Sequence, residues 1–310
     1  MEASALFSDN ITLSSSSSQR GIVTWISLAI TLSLFLCVFL FFLVLLLHAF
    51  FTIAHLREQL RYILFTYVLV NNSIYLFTCT ILFFLNLFAY KIPVGGCCFL
   101  VVISAFSYNN TPNGLAAMAI ERYIAICFPL RYLMICRVER SWVVVLLVSG
   151  IRFFPSFIEV LILISTLDYN FFLQRVWCFR ESVFIGSEQA MMRFATDALN
   201  FPLVALIVLY TYIKIMQEAR KIGGDKSSSS KASKTVLLHA IQLLLCLTSF
   251  TAALSESFTE KQHFYTKFFY FFMFMVLPIF LTPLIYGVRD ETYRMHIKMF
   301  FLCPRHGSNP

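Results

Sequence analysis

Charge is what this chain has least of. Only 13% of its 310 residues are charged, 16 acidic and 24 basic, while 59% are hydrophobic, and the mean hydropathy is +0.78. A soluble domain of this length needs far more polar surface to cover its core, so that class is excluded. Glycine is scarce too, ten residues against 35 phenylalanines, which excludes a low-complexity or disordered chain. No CxxC pair, HExxH stretch or Cys/His cluster points to a metal site, and no cofactor motif is present. Paired carboxylates at one depth are missing, so an intramembrane enzyme is not expected. The N-terminal stretch lacks a basic start followed by an apolar core, so no cleaved signal peptide is expected. Alternating strand patterns and internal repeats are absent, which counts against a membrane β-barrel and against a repeat-built transporter.

What is there is oil, in lengths that fit a bilayer. Runs of about 20 apolar residues or more occur at Trp25–Phe51, Tyr62–Phe88, Val94–Phe128, Trp142–Leu167, Gln189–Met216, Thr235–Leu254 and Phe264–Val288. Only helices satisfy every backbone group segment by segment in lipid. The expectation is an all-α membrane protein, a seven-helix bundle forming one domain over residues 1–310, with its termini on opposite sides. The third run is long enough to tilt or to begin in a loop.

With the C-terminus inside, sixteen Lys and Arg residues fall on the inner side and eight on the outer, which favours a cytoplasmic C-terminus and an extracellular N-terminus. The net charge of +8 then reflects topology and contact with anionic lipid; no basic groove suggests a nucleic-acid partner. Residues 1–21 read as a flexible extracellular tail carrying a glycosylation acceptor, Asn10-Ile-Thr12. The Asn71 and Asn109 sequons lie inside spans, out of reach of that machinery. Gly223–Lys234 is a charged, serine-rich linker between the fifth and sixth spans. Residues 289–310 form an amphipathic interfacial helix and tail, with Tyr293, Ile297 and Phe300 on one stripe.

Nine cysteines are scattered along the chain. Of these, Cys97, Cys98 and Cys178 lie on the outer, oxidising side, where one bond is expected between the third helix and the loop Asp168–Glu188. Either Cys97 or Cys98 could be the partner of Cys178, and Cys97 is preferred. Cys303 is a candidate for palmitoylation, or simply a free inner cysteine.

Two charges interrupt the third run at its inner end, Glu121 and Arg122 within "MAIERYIAICFPLRY". Taken alone, Arg122 could be an interfacial anchor whose long side chain snorkels to water. In context, "ERYIAICFPLRY" resembles the DRY region of rhodopsin-like G-protein-coupled receptors, and "AICFPLRY" is close to the segment that marks odorant receptors. Cys97 lies 25 residues before Arg122, Pro202 and Tyr210 are eight apart, and "TPLIYGVRD" resembles the family's NPxxY-like form at Pro283 and Tyr286. Together with "LREQLRYILF" and "KTVLLHAIQLLLCL", these motifs look most like fish-type odorant receptors over nearly the whole chain.

That resemblance implies a plasma-membrane receptor that binds a small odorant and activates a heterotrimeric G protein, raising cAMP. At the inner end, Glu121, Arg122, Tyr123, Tyr210, Pro283 and Tyr286 would carry activation, with Arg122 exchanging Glu121 for the transducer and for Tyr210 and Tyr286. Pro202, Pro278 and Pro283 would supply places to bend. Family position puts Ser104, Ala105, Tyr108 and Asn109 in the pocket, joined by Phe194, Asp197, Ala198, Phe250, Leu254, Phe272 and Met275; ordinary helix packing explains the aromatics among them equally well. Ser104 stands where aminergic relatives carry an aspartate. Asp197 could replace that anchor, or pair with Arg193 one turn above, and the pairing is preferred. Arg152 and Glu159 pose the same choice between polar glue and pocket lining. The chain departs from the family where an aspartate of the second helix is Asn71 or Asn72, and where Thr282 precedes Pro283, which puts an intramembrane sodium site in doubt. Other readings are a receptor for a lipid or peptide, and a small-solute transporter.

Overall fold

The computed structural model describes residues 2–221, 271–277, 279–281 and 291–302. Five of its helices are long and apolar enough to cross a membrane, with spans at Ile26–Thr52, Leu60–Leu87, Val94–Cys127, Val138–Thr166 and Ser187–Glu218. They match the first five apolar runs within a few residues. The sixth run lies outside the described residues, as do Phe250, Leu254, Pro278, Pro283, Tyr286, Cys303 and the serine-rich linker.

Helix α1 runs from Glu2 to Thr52, so the stretch expected as a flexible tail is helical. The stretch contains no proline to remove a backbone donor, and Gly21 is its one glycine, so the hydrogen-bonded ladder of the apolar span continues outward. A short α2 (Ala54–Arg57) leads into α3 (Leu60–Leu87). Helix α4 (Val94–Cys127) begins directly after Pro93, not in a loop, and ends where Phe128 turns the chain and Pro129 opens α5 (Pro129–Ile135). Proline at the first helical turn loses nothing, because that N–H would be orphaned anyway. Helix α6 (Ser141–Thr166), a short α7 (Tyr169–Leu173) and the long α8 (Ser187–Lys221) follow. In the seventh apolar run, Phe271–Val276 winds as a wide π-type turn, and α9 (Glu291–Leu302) closes the described chain.

Phe39, Leu46, Phe65, Val68, Leu115 and Met118 form the centre of the main core, joining α1, α3 and α4. Small side chains let α4 and α8 approach: Ala116 and Ala119 meet Val204 and Val208. Much of the remaining apolar surface faces outward. Helix α6 buries only Val148, Arg152 and Leu163, while Phe153, Phe154 and Phe157 stand exposed. Such a surface suits lipid and not water.

Inside the bundle several polar groups are partnered across helices. Thr111 donates to Asn72 Oδ1 at 2.7 Å, and Asn71 donates to the Ser107 carbonyl at 2.6 Å. Asn110 bonds the Tyr67 hydroxyl, which meets Ser149 Oγ at 2.7 Å, so α3, α4 and α6 share one chain of polar contacts. The network flanks Pro112, which has no N–H to give to the helical ladder.

A two-stranded antiparallel ribbon, β1 (Ile92–Pro93) on β2 (Arg175–Val176), folds the loop after α7 back over the head of α4. Beside it, Cys97 and Cys178 are joined with S–S 2.01 Å, and Cys98 is a buried free thiol. The preference for Cys97 therefore holds. The ribbon has no counterpart in the sequence reading, because two residues per strand are too few to show a period.

Candidate functional site

Besides the network inside the bundle, the described chain has a polar centre at the disulfide end and another where α4 meets α5. At the second, Glu121 is 4% exposed and accepts a hydrogen bond from the Tyr132 hydroxyl through Oε1 at 2.7 Å. Its other oxygen, Oε2, has no hydrogen-bond partner. Burial, and then the bond to Glu121, push the Tyr132 phenol well above its ordinary pKa, so the hydroxyl stays a donor. Beside the Arg122 expected as its neighbour, Glu121 has in Tyr132 a partner that the sequence did not announce. The turn Phe128–Pro129 brings Tyr132 back beside the helix, and no periodicity announces that reversal. Tyr123 and Tyr210 do meet, edge to face with centroids 5.9 Å apart, and Tyr123 also meets Phe128. Lys214 lies over the Tyr210 ring at 5.8 Å.

The C-terminal helix docks on this same end. Tyr293 is fully buried between Tyr62 and Phe65, and His296 lies 3.2 Å from His48. The expected amphipathic stripe is thus partly a contact with α1 and α3, not wholly one with lipid.

At the disulfide end, α4, α6 and α8 enclose a chamber lined by Ala105, Asn109, Arg152, Glu159, Arg180 and Arg193, among others. Asp197 pairs with Arg152 of α6 at 2.5 Å and not with Arg193 as expected. Both members are well buried, with side chains 5% and 13% exposed, so each needs the other. Glu159 takes the remaining arginines, Arg180 at 3.3 Å and Arg193 at 3.5 Å, both through Oε1. The preference for an Asp197–Arg193 pair rested on their spacing of one turn; the rotation of α8 turns Asp197 toward α6 instead. Arg180 escaped the sequence analysis because it sits in the loop, two residues beyond Cys178, with nothing local to mark it. Burial and the neighbouring Arg193 hold its pKa below the ordinary value.

The other expected pocket residues scatter. Ala105 and Asn109 line the chamber. Ser104 sits 3.3 Å from the Cys79 sulfur, and Tyr108 packs against Tyr75 with ring centroids 5.4 Å apart. Ala198 is half-buried on α8, whereas Phe194 is 53% exposed and lines no part of the chamber. Phe272 packs edge to face on Phe35 of α1, centroids 4.7 Å apart, and Met275 lies in the π-type turn.

The comparisons with known proteins agree with this architecture. The chain is 31% identical over 220 residues to the zebrafish (Danio rerio) odorant receptor 131-2, covering 68% of this chain and 67% of that one. It is 27% identical over 197 residues to the dog (Canis lupus familiaris) olfactory receptor-like protein OLF4, covering 60% of this chain and 62% of the relative. To the human (Homo sapiens) olfactory receptor 51E1 it is 22% identical over 213 residues, 63% of each chain. The match to the family described as 7 transmembrane receptor (rhodopsin family) runs over residues 44–286. The chain belongs to the rhodopsin family of seven-transmembrane receptors, and is a multi-pass membrane receptor rather than an enzyme.

Proposed function

We propose that this receptor detects small odorants and passes the signal to a heterotrimeric G protein of the stimulatory, cAMP-raising type. The α4–α5 end faces the cytosol, and the disulfide end and the N-terminus face outward, with Asn10 available for glycosylation. The odorant enters at the disulfide end, where Ala105 and Asn109 line the chamber and Ser104 and Tyr108 lie on the same helix. Phe250, Leu254 and Met275 would add apolar contacts around a small ligand.

One observation carries the reading: Glu121 is held by Tyr132 at the tip of α4, next to Arg122, in a chain similar to odorant receptors. At rest the carboxylate is clasped; on activation the neighbouring guanidinium is released toward the transducer, with Tyr123, Tyr210, Pro283 and Tyr286 rearranging around it. A ligand can drive that change only by its difference in affinity for the two arrangements. Cells co-expressing the full-length receptor and the olfactory stimulatory G protein test this by cAMP readout against odorant mixtures. The parent chain responds, and Arg122→Ala loses the response while its surface staining persists. An undiminished response from Arg122→Ala would overturn the assignment.

A further inference from the structure

Among the described residues of the chamber at the disulfide end, three guanidiniums face two carboxylates. Arg152 and Asp197 close on each other at 2.5 Å, which leaves Glu159 alone to face both Arg180 and Arg193. It does so through a single oxygen, at 3.3 and 3.5 Å, longer than a well-formed charge-assisted bond of about 2.7–2.9 Å. One carboxylate cannot neutralise two guanidiniums, so the group carries an excess positive charge. The Arg180 Nε atom is buried with no hydrogen-bond partner, and so is that of Arg152. Asn109 and Ser156 add neutral polar groups to the same wall.

Resting on the receptor reading above, we infer that the ligands of this receptor are small organic carboxylates, and that the carboxylate headgroup lands between Arg180 and Arg193. Guanidinium is the side chain whose paired donors match a carboxylate in plane. The chamber encloses about 20 Å³, room for the headgroup's oxygen and not for an odorant's body, so the apolar part of the ligand extends beyond it. An amine would enter a field of its own sign, and an alcohol would leave the excess charge unanswered. Glu159 is a competitor: the ligand takes over one of the two arginines it now shares. Because Arg180 follows Cys178 on the tethered loop while Arg193 belongs to α8, an anion between them draws loop and helix together.

The test uses linear and aromatic carboxylates, each with its matching alcohol and amine, against the detergent-solubilised full-length receptor by thermal shift and against the same receptor in cells by cAMP. At least one acid raises the melting midpoint, with an affinity about tenfold or more above its alcohol and amine counterparts. Arg180→Gln and Arg193→Gln each weaken that acid by about tenfold or more, and Arg193→Lys weakens it less. Glu159→Gln, which removes the competitor, tightens it. Surface staining reports folding of every variant. Alcohols or amines that bind as well as the acids, an absence of any acid-induced shift, or acid affinity untouched by both arginine variants would each overturn the inference. Acid binding without cAMP would fault the G-protein reading and leave the anion site standing. A cAMP response to alcohols alone would do the reverse.

Discussion

The Tyr132 hydroxyl donates to Glu121 Oε1 at 2.7 Å, tying α5 to the tip of α4 beside Arg122. The acceptor is a buried carboxylate whose other oxygen has no hydrogen-bond partner. A hydrogen bond to a charged group contributes about 1.5–3 kcal/mol. Tyr132→Phe removes it while keeping the ring. If the clasp holds the resting state, basal cAMP in cells expressing Tyr132→Phe rises severalfold at equal surface density, and adding Arg122→Ala abolishes the rise. Basal cAMP equal to that of the parent would show that the bond is structural only.

The Arg152–Asp197 pair makes a different kind of prediction, about stability. Removing one member of a buried ion pair strands the other and typically costs about 3–5 kcal/mol, whereas replacing both with apolar residues of similar volume is often neutral. Arg152→Met and Asp197→Leu should each lower the melting midpoint of the solubilised receptor sharply and reduce surface expression. The double variant should recover most of both. A double variant as unstable as the sum of the singles would mean that the two charges act independently, against the 2.5 Å geometry.

These cases also mark what was legible in the chain. The first five spans were, because lipid demands long apolar runs and little else in a sequence imitates them. The end of α4 was as well, since Pro129 cannot continue a helix that needs its N–H. An outer disulfide to Cys178 was legible once the outer side was assigned, with Cys97 preferred over Cys98, and the structure joins Cys97. The partners of Asp197, Glu159 and Glu121 were not legible, because each lies on another element. Which face of α8 turns to α6, and where the turn after Phe128 delivers Tyr132, are set by packing of whole helices. Arg180 is the extreme case: a loop arginine brought to Glu159 by a loop that the disulfide and the β1–β2 ribbon tether. The helical conformation before Trp25 was missed for another reason: serine runs have weak helix preference, and propensity alone argued for a tail.

Gly114 tests the closeness of α3 and α4. A Cβ added there would overlap Val68 Cγ2, and Val68 is fully buried and β-branched, so it cannot rotate away cheaply. Overpacking of this kind typically costs about 1–3 kcal/mol. Gly114→Ala should therefore lower surface expression and the melting midpoint. Val68→Ala should also destabilise by leaving a gap, yet the pair together should be more stable than the sum of the singles predicts. Simple additivity would mean that the helices shift apart to absorb the methyl group.

The docking of α9 should depend on pH through His296. Its ring lies 3.2 Å from the His48 ring, and burial, then the His48 neighbour, lowers its pKa from the ordinary 6.5. Well above pH 6.5 both the docked and the undocked helix carry a neutral His296, so docking is insensitive to pH there. Below it the undocked helix binds the proton more readily than the docked one, and the linkage relation then favours undocking as pH falls. The contribution is lost through the interval between 6.5 and the lowered value, while the Tyr293 contacts with Tyr62 and Phe65 remain. Hydrogen exchange of the α9 amides in solubilised receptor should quicken between neutral pH and mildly acidic pH, after correction for the intrinsic rate. His296→Gln should flatten that dependence, and Tyr293→Ala should speed exchange at every pH. A His296→Gln variant that keeps the full acid response would place the sensor elsewhere.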